Sequence, residues 1–140
     1  LQDSEAELQR EGGATIVTLP SDLVFGRDGL SIRQEACMTL DIISTALKLH
    51  PDYRVVVEGH TDDSSVPRDL RRYFPDNWAY SIGRARAVMH VMSYTYGVDE
   101  SRFTLIGHSE YDPIESNDTE NGRDQNRRVV LRILPTETRR

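Results

Sequence analysis

The residues best equipped for chemistry lie between Val55 and Arg86. An apolar β-branched run, Val55-Val56-Val57, stops at Gly59 and is followed at once by His60, Thr61, Asp62 and Asp63. After a polar segment ending Asp76-Asn77-Trp78, an alanine-rich helical pattern opens with Arg84 in its first turns. An acid at the end of a strand and an arginine near the start of a helix can form one two-signed pocket. A carboxylate binds an ammonium and a guanidinium binds a carboxylate in bidentate fashion, each contact contributing about 1.5–3 kcal/mol when shielded from water. Such a pocket suits a ligand carrying an amine and a carboxylate together, as an amino acid does. Spacing alone leaves a second reading open, in which Asp62 and Arg84 simply pair with each other on the surface.

Three catalytic or metal chemistries compete with binding. Gly107-His108-Ser109-Glu110-Tyr111 has the first half of a nucleophile elbow, but Tyr111 stands where the second glycine should be and no strand-turn-helix context follows. His60, Asp62, Asp63 and His108 are metal-ligating types, although His-x-Asp-Asp spacings are frequent by chance. Glu58 and Asp62 would supply a carboxylate pair of the kind used in glycan cleavage, yet both sit close to what reads as a tight turn at Gly59 and nothing marks either as buried. The expectation is a binding site with no catalytic residue, no metal and no cofactor.

The elements that must position these residues follow from the pattern of the whole chain. Its 140 residues, 29% charged and 37% hydrophobic, are those of an ordinary globular domain with a real core. A formal charge of −6 argues against nucleic acid as a partner, because phosphate binding needs a basic field. A local basic cluster does occur late, at Arg123, Arg127, Arg128 and Arg132. Cys37 is the single cysteine, which excludes an intrachain disulfide and a thiolate metal cage. No apolar run approaches the roughly 18–20 residues of a membrane span. The chain begins at Leu1 with a polar, acidic stretch, so a membrane anchor or export signal is expected upstream.

Residues 1–13 read as a linker or frayed helix end broken at Gly12-Gly13. Ala14 to Leu19 reads as a first strand stopped by Pro20, followed by an apolar anchor at Leu23-Val24-Phe25 and turns at Gly26 and Gly29. Ser31 and Gln34 form a capping-box signature, behind which Ile32, Ala36, Leu40, Ile43 and Leu47 share one helical face up to Pro51. Arg54 to Glu58 is a second, interior strand. A second helix carries Ile82, Ala85, Met89, Met92 and Tyr96 and stops at Gly97. Strands at Phe103–Ile106 and Arg127–Leu134 flank a long polar connection, and residues 136–140 form a tail. The order β-α-β-α-β-β predicts an α/β (α+β) two-layer sandwich with a mixed sheet over residues 14–135.

Three separated motifs in this order carry a resemblance. Val57-Glu58-Gly59-His60-Thr61-Asp62-Asp63, then Asn77-Trp78-x-x-Ser81-x-x-Arg84-Ala85, then Asn126-Arg127-Arg128-Val129 closely resemble the OmpA-like peptidoglycan-binding domain family. That family includes the C-terminal domain of OmpA, the peptidoglycan-associated lipoproteins and the periplasmic part of MotB-type flagellar stator proteins. The match runs from about Phe25 to Ile133 and agrees with the strand and helix order. The resemblance implies non-catalytic binding of the meso-diaminopimelate part of the peptidoglycan stem peptide, anchoring an envelope protein to the wall from the periplasm. It implies that Asp62 and Arg84 hold the ligand's charges, that Asn77 and Arg127 complete the pocket, and that Thr61 and Ser64 contribute contacts. The 63–76 loop, with Pro67, Arg68, Arg71, Arg72 and Phe74-Pro75, is longer than in the OmpA and lipoprotein types and looks more like the stator type, which works as a dimer. A porin tail, a lipoprotein and, from another class, a peptidoglycan hydrolase are the alternatives. Tyr80 stands where the family usually has Leu, and Gly83 loosens the helix just before Arg84.

Overall fold

The computed structural model describes residues 6–136. Five strands form one mixed sheet in the order β1-β2-β5-β3-β4. They are β1 (Glu7–Glu11), β2 (Ala14–Pro20), β3 (Tyr53–His60), β4 (Phe103–Gly107) and β5 (Arg128–Pro135). The β3–β4 pair is parallel and the other pairs are antiparallel, as the mixed sheet predicts. The helices are α1 (Ser21–Val24), α2 (Gln34–Leu49), α3 (Asn77–His90) and α4 (Glu120–Asn126). The last turn of α3 widens into a π-helical segment, Val91–Thr95, and stops at Gly97 with a φ of 81°.

Strand alternation divides the side chains between two layers. Val55 and Val57 of β3, Val17 and Leu19 of β2, and Val129 and Leu131 of β5 meet Leu40 and Leu47 of α2 and Ala85 and Val88 of α3 in the main core. The alternate residues face away from the helices, where Ala14, Ile16 and Val130 form a small second cluster. Glu58 and Arg132 are also on that open face, joined by an ion pair of 2.6 Å.

Several local expectations are corrected. Residues 7–11 are an edge strand rather than a linker or helix end, paired in a hairpin with β2 around Gly12, whose φ is 58°; residues 1–5 and 137–140 lie outside the described part. Ser31 does not cap α2, because its backbone N–H and hydroxyl both bond the Asp28 carboxylate. Arg33 occupies the cap position without capping the helix through its side chain, which donates instead to Asp22 O and Phe25 O. The polar connection after β4 contains α4, capped by the Thr119 hydroxyl, which accepts from Gly122 N at 3.0 Å. Ile82, placed on the apolar stripe of α3, is 37% exposed.

Gly59 is not a turn. It lies within β3, opposite Gly107 of β4. A Cβ at Gly59 would meet Ser81 O at 1.9 Å, and one at Gly107 would meet Ser81 Oγ at 2.8 Å. The glycine pair therefore lets the first turns of α3 settle directly onto the ends of β3 and β4.

Candidate functional site

Beyond β3 the chain keeps strand-like pairing: His108 N donates to Gly59 O at 3.0 Å and Thr61 N to Ser109 O at 2.9 Å. Ser109 N in turn donates to Ser81 Oγ at 3.0 Å. This lattice ties the exits of β3 and β4 to α3, and Ser109 holds a φ of 55° within it, a conformation uncommon for a residue with a Cβ. Asp62, next along, is 5% exposed. One of its oxygens accepts from Ser64 N at 2.8 Å and the other from Arg127 Nη1 at 2.6 Å. A carboxylate offers about four lone-pair positions, so two remain for a ligand.

Arg84 does not pair with Asp62. Its guanidinium is clamped between two rings, 4.3 Å from the centroid of Phe25 and 4.4 Å from that of Tyr80. Its hydrogen bonds are two long ones to Gly29 O, at 3.3 and 3.4 Å. Among the described residues no carboxylate is within ion-pair reach of it. Burial pushes its pKa down, the mark of a cation short of neutralisation. Gly29 has a φ of 76° and carries Leu70 against its α-carbon, so the turn that presents this carbonyl has no room for a side chain.

Arg127 reaches the cleft because Asn126 fixes the chain beside it. The fully buried Asn126 amide accepts from Ile114 N at 2.8 Å and Glu115 N at 3.0 Å, and donates to Glu115 O and Asn117 Oδ1. Arg127 then bonds Asp62 on one side and Glu120 and Asp124 on the other. Burial works against its charge, but the bonds to Glu120 and Asp62 outweigh this and raise its pKa. Asn77, at the start of α3 behind the Asp76 cap, donates to Ser64 O at 2.9 Å and Glu110 Oε1 at 3.3 Å.

Thr61, Asp62, Ser64, Asn77, Arg84 and Arg127 thus line one cleft of about 200 Å³, with Ser65, Pro67 and Tyr80. All six residues singled out from the sequence converge there. Thr61 spends its hydroxyl on the carbonyl of Asp62 at 2.8 Å. The 63–76 loop forms the outer wall and has a core of its own: Val66 and Leu70 are buried against Tyr80 with Phe74 packed alongside. Gly83 seats Phe74, since a Cβ there would meet the ring at 2.4 Å; it anchors the loop rather than merely loosening the helix.

The other sequence candidates separate. Asp63 is exposed, and neither it nor Asp62 joins the histidines, whose acidic neighbour is Glu58. Glu58 is held by Arg132 and Asp62 by Arg127, so they share no partner. Ser109 is buried and serves α3 through its backbone. Three contributors escaped the sequence reading: Phe25, Gly29 and Ser81. Only Ser81, inside the second motif, stood near a visible signal.

The sheet, the helix seated on two glycines and the arginine–acid cleft define the class of fold. The family profile described as OmpA family matches residues 24–127, and the chain belongs to that family. It is 31% identical over 139 residues to Motility protein B of Bacillus subtilis (strain 168), covering 96% of this chain and 52% of that protein. It is 34% identical over 108 residues to the peptidoglycan-associated lipoprotein of Pseudomonas putida, covering 77% of this chain and 60% of that protein. Among solved structures it resembles the cell wall anchor of the type VI secretion system from Pseudomonas aeruginosa, with a TM-score of 0.80 and 32% identity over 93% of this chain and 87% of that one. The chain thus spans little more than half the length of the two curated relatives.

Proposed function

We propose that this domain binds the peptidoglycan stem peptide without covalent chemistry and so anchors an envelope protein to the cell wall from the periplasm. The observation that carries the reading is Arg84: a half-buried guanidinium, stacked between two rings, lacking a carboxylate and lining the same cleft as Asp62. A ligand carboxylate would supply the missing counter-charge through a bidentate pair. The two free lone-pair positions of Asp62 would accept a ligand ammonium. The free end of meso-diaminopimelate presents both groups. Arg127 fixes the Asp62 carboxylate, Asn77 fixes the loop through Ser64, and Thr61 and Ser64 shape the floor. The kinship with a peptidoglycan-associated lipoprotein and a cell wall anchor supports this choice of ligand.

The parent we infer is a stator protein of the MotB type, on the strength of Motility protein B and of the long, internally packed 63–76 loop. A secretion-system wall anchor is the second reading, favoured by the 32% identity over nearly the whole of that chain. No helix among the described residues is long and apolar enough to cross a membrane, so the anchor of either parent would lie elsewhere. The stator reading brings with it a paired domain, which light scattering on the purified chain would measure.

Sedimentation with purified sacculi tests the ligand. The domain should pellet with walls containing diaminopimelate and be released by added free diaminopimelate. An Asp62→Ala, Arg84→Ala double variant that pellets as well as the parent would refute the assignment, and release of soluble muropeptides would point to a hydrolase instead.

A further inference from the structure

The two histidines at the ends of β3 and β4 take no part in the cleft. His60 is the last residue of β3 and His108 follows the end of β4. Glu58 Oε1 lies 3.4 Å from His60 Nε2 and 3.6 Å from His108 Nε2. The three atoms are all within 4.8 Å of one another. In a tetrahedral zinc site with bonds of about 2.0–2.1 Å, neighbouring donor atoms stand roughly 3.3 Å apart. Two of the three edges are therefore already near the required length.

We propose that Glu58, His60 and His108 form a binding site for a borderline divalent transition-metal ion such as zinc, with the fourth position open to water. This inference is independent of the wall-binding reading. Two nitrogens and one carboxylate oxygen are a donor set that zinc and cobalt(II) accept, whereas calcium and magnesium prefer all-oxygen shells.

One movement is needed. The imidazoles stack with centroids 4.5 Å apart and planes only 11° from parallel, so their lone pairs do not yet converge. His108 is the ring free to turn: its side chain is 31% exposed, and that of His60 is 2% exposed. Glu58 is already fixed for the task, because Arg132 Nε bonds its other oxygen at 2.6 Å and leaves Oε1 facing the rings. Such an outer bond orients a ligating carboxylate.

The protonation states also suit a metal. Burial alone would raise the Glu58 pKa, but its bonds to His60 and Arg132 hold it at about 2, so it is ionised. Burial keeps His60 neutral. A metal would take the place of the hydrogen between His60 Nε2 and Glu58, and the single imidazole proton would move to Nδ1, a buried atom that has no hydrogen-bond partner among the described residues. Arg128, opposite His60 in the β3–β5 register, and Arg132 both bring positive charge that weakens attraction for a dication. The ion would clamp the exits of β3 and β4, two residues before Asp62.

Cobalt(II) titration of metal-free protein tests the site through the visible absorption of tetrahedral cobalt. We expect one ion bound per chain and displacement by zinc. His108→Ala, at a partly exposed position, should weaken binding at least about tenfold while keeping the parent melting temperature in chelator. His50→Ala and His90→Ala, which alter the remaining two of the four histidines, should bind as the parent does. Absence of a tetrahedral cobalt signal, or equal binding by a folded His108→Ala variant, would overturn the proposal.

Discussion

Replacing Arg84 by methionine separates the stability of the site from its function. The substitution removes two guanidinium–ring contacts, at 4.3 and 4.4 Å, worth about 0.5–2 kcal/mol each. It also removes the long bonds to Gly29 O, together worth about 1 kcal/mol. Against these losses, a half-buried cation without a counter-ion disappears, and leaving such a charge under-neutralised costs up to several kcal/mol. Methionine refills the slot between Phe25 and Tyr80, with a sulfur–aromatic contact of about 0.3–1.5 kcal/mol. These terms nearly cancel, so Arg84→Met should stay within about 1 kcal/mol of the parent, a melting shift of roughly 4 °C or less. Binding should respond very differently. Losing a charge-assisted pair of about 1.5–3 kcal/mol corresponds to a roughly 10- to 150-fold weaker dissociation constant for a diaminopimelate-containing peptide. Calorimetric titration and thermal melts on the same samples give both numbers. Unchanged affinity would remove Arg84 from the ligand; a loss of more than about 3 kcal/mol of stability would make it a structural residue.

Further consequences concern the scaffold. Gly59→Ala drives a methyl to 1.9 Å from Ser81 O; α3 must lift from the sheet, and denaturant melts should show a loss of more than about 3 kcal/mol. Asn126→Ala removes a fully buried amide together with its four hydrogen bonds, to Ile114 N, Glu115 N, Glu115 O and Asn117 Oδ1, with an expected cost of about 2–4 kcal/mol in urea unfolding. Acid should destabilise the fold through Glu58. Its folded pKa of about 2 lies below the unfolded value of 4.5, so its contribution is complete above pH 4.5 and fades as pH falls toward 2. Glu58→Gln should flatten the stability profile in that window, and an unchanged slope would show that the Arg132–Glu58–His60 linkage is not what holds the carboxylate.

What could be read in the sequence was what burial dictates. The Val55-Val56-Val57 run, the α2 face and the alternation of Val129, Leu131 and Ile133 all carry a hydrophobic period, and each forms its element. Glu7–Glu11 carries none: all five residues are exposed, and the strand rests on main-chain pairing with β2. Glu120–Asn126 has no apolar side chain; a threonine cap and one buried asparagine hold it. The Ser31 signature failed because Ser31 closes a turn with Asp28, to which its N–H and hydroxyl both donate, and α2 starts only at Gln34 behind Arg33. Within the site, charge and spacing picked out Asp62 and Arg84, and the resemblance of the motifs added Asn77, Arg127, Thr61 and Ser64. The Arg84 clamp was hidden because Phe25 and Gly29 act from more than 50 residues away, one through a ring face and one through a carbonyl.

The most direct test of a zwitterion cleft compares two stem peptides that differ in one group. Calorimetry with a peptide carrying meso-diaminopimelate at its third position, against the same peptide carrying lysine there, removes only the carboxylate assigned to Arg84. The cleft geometry predicts binding of the diaminopimelate peptide and at least about tenfold weaker binding of the lysine peptide. Equal affinity for the two would contradict the pairing of Arg84 with a ligand carboxylate.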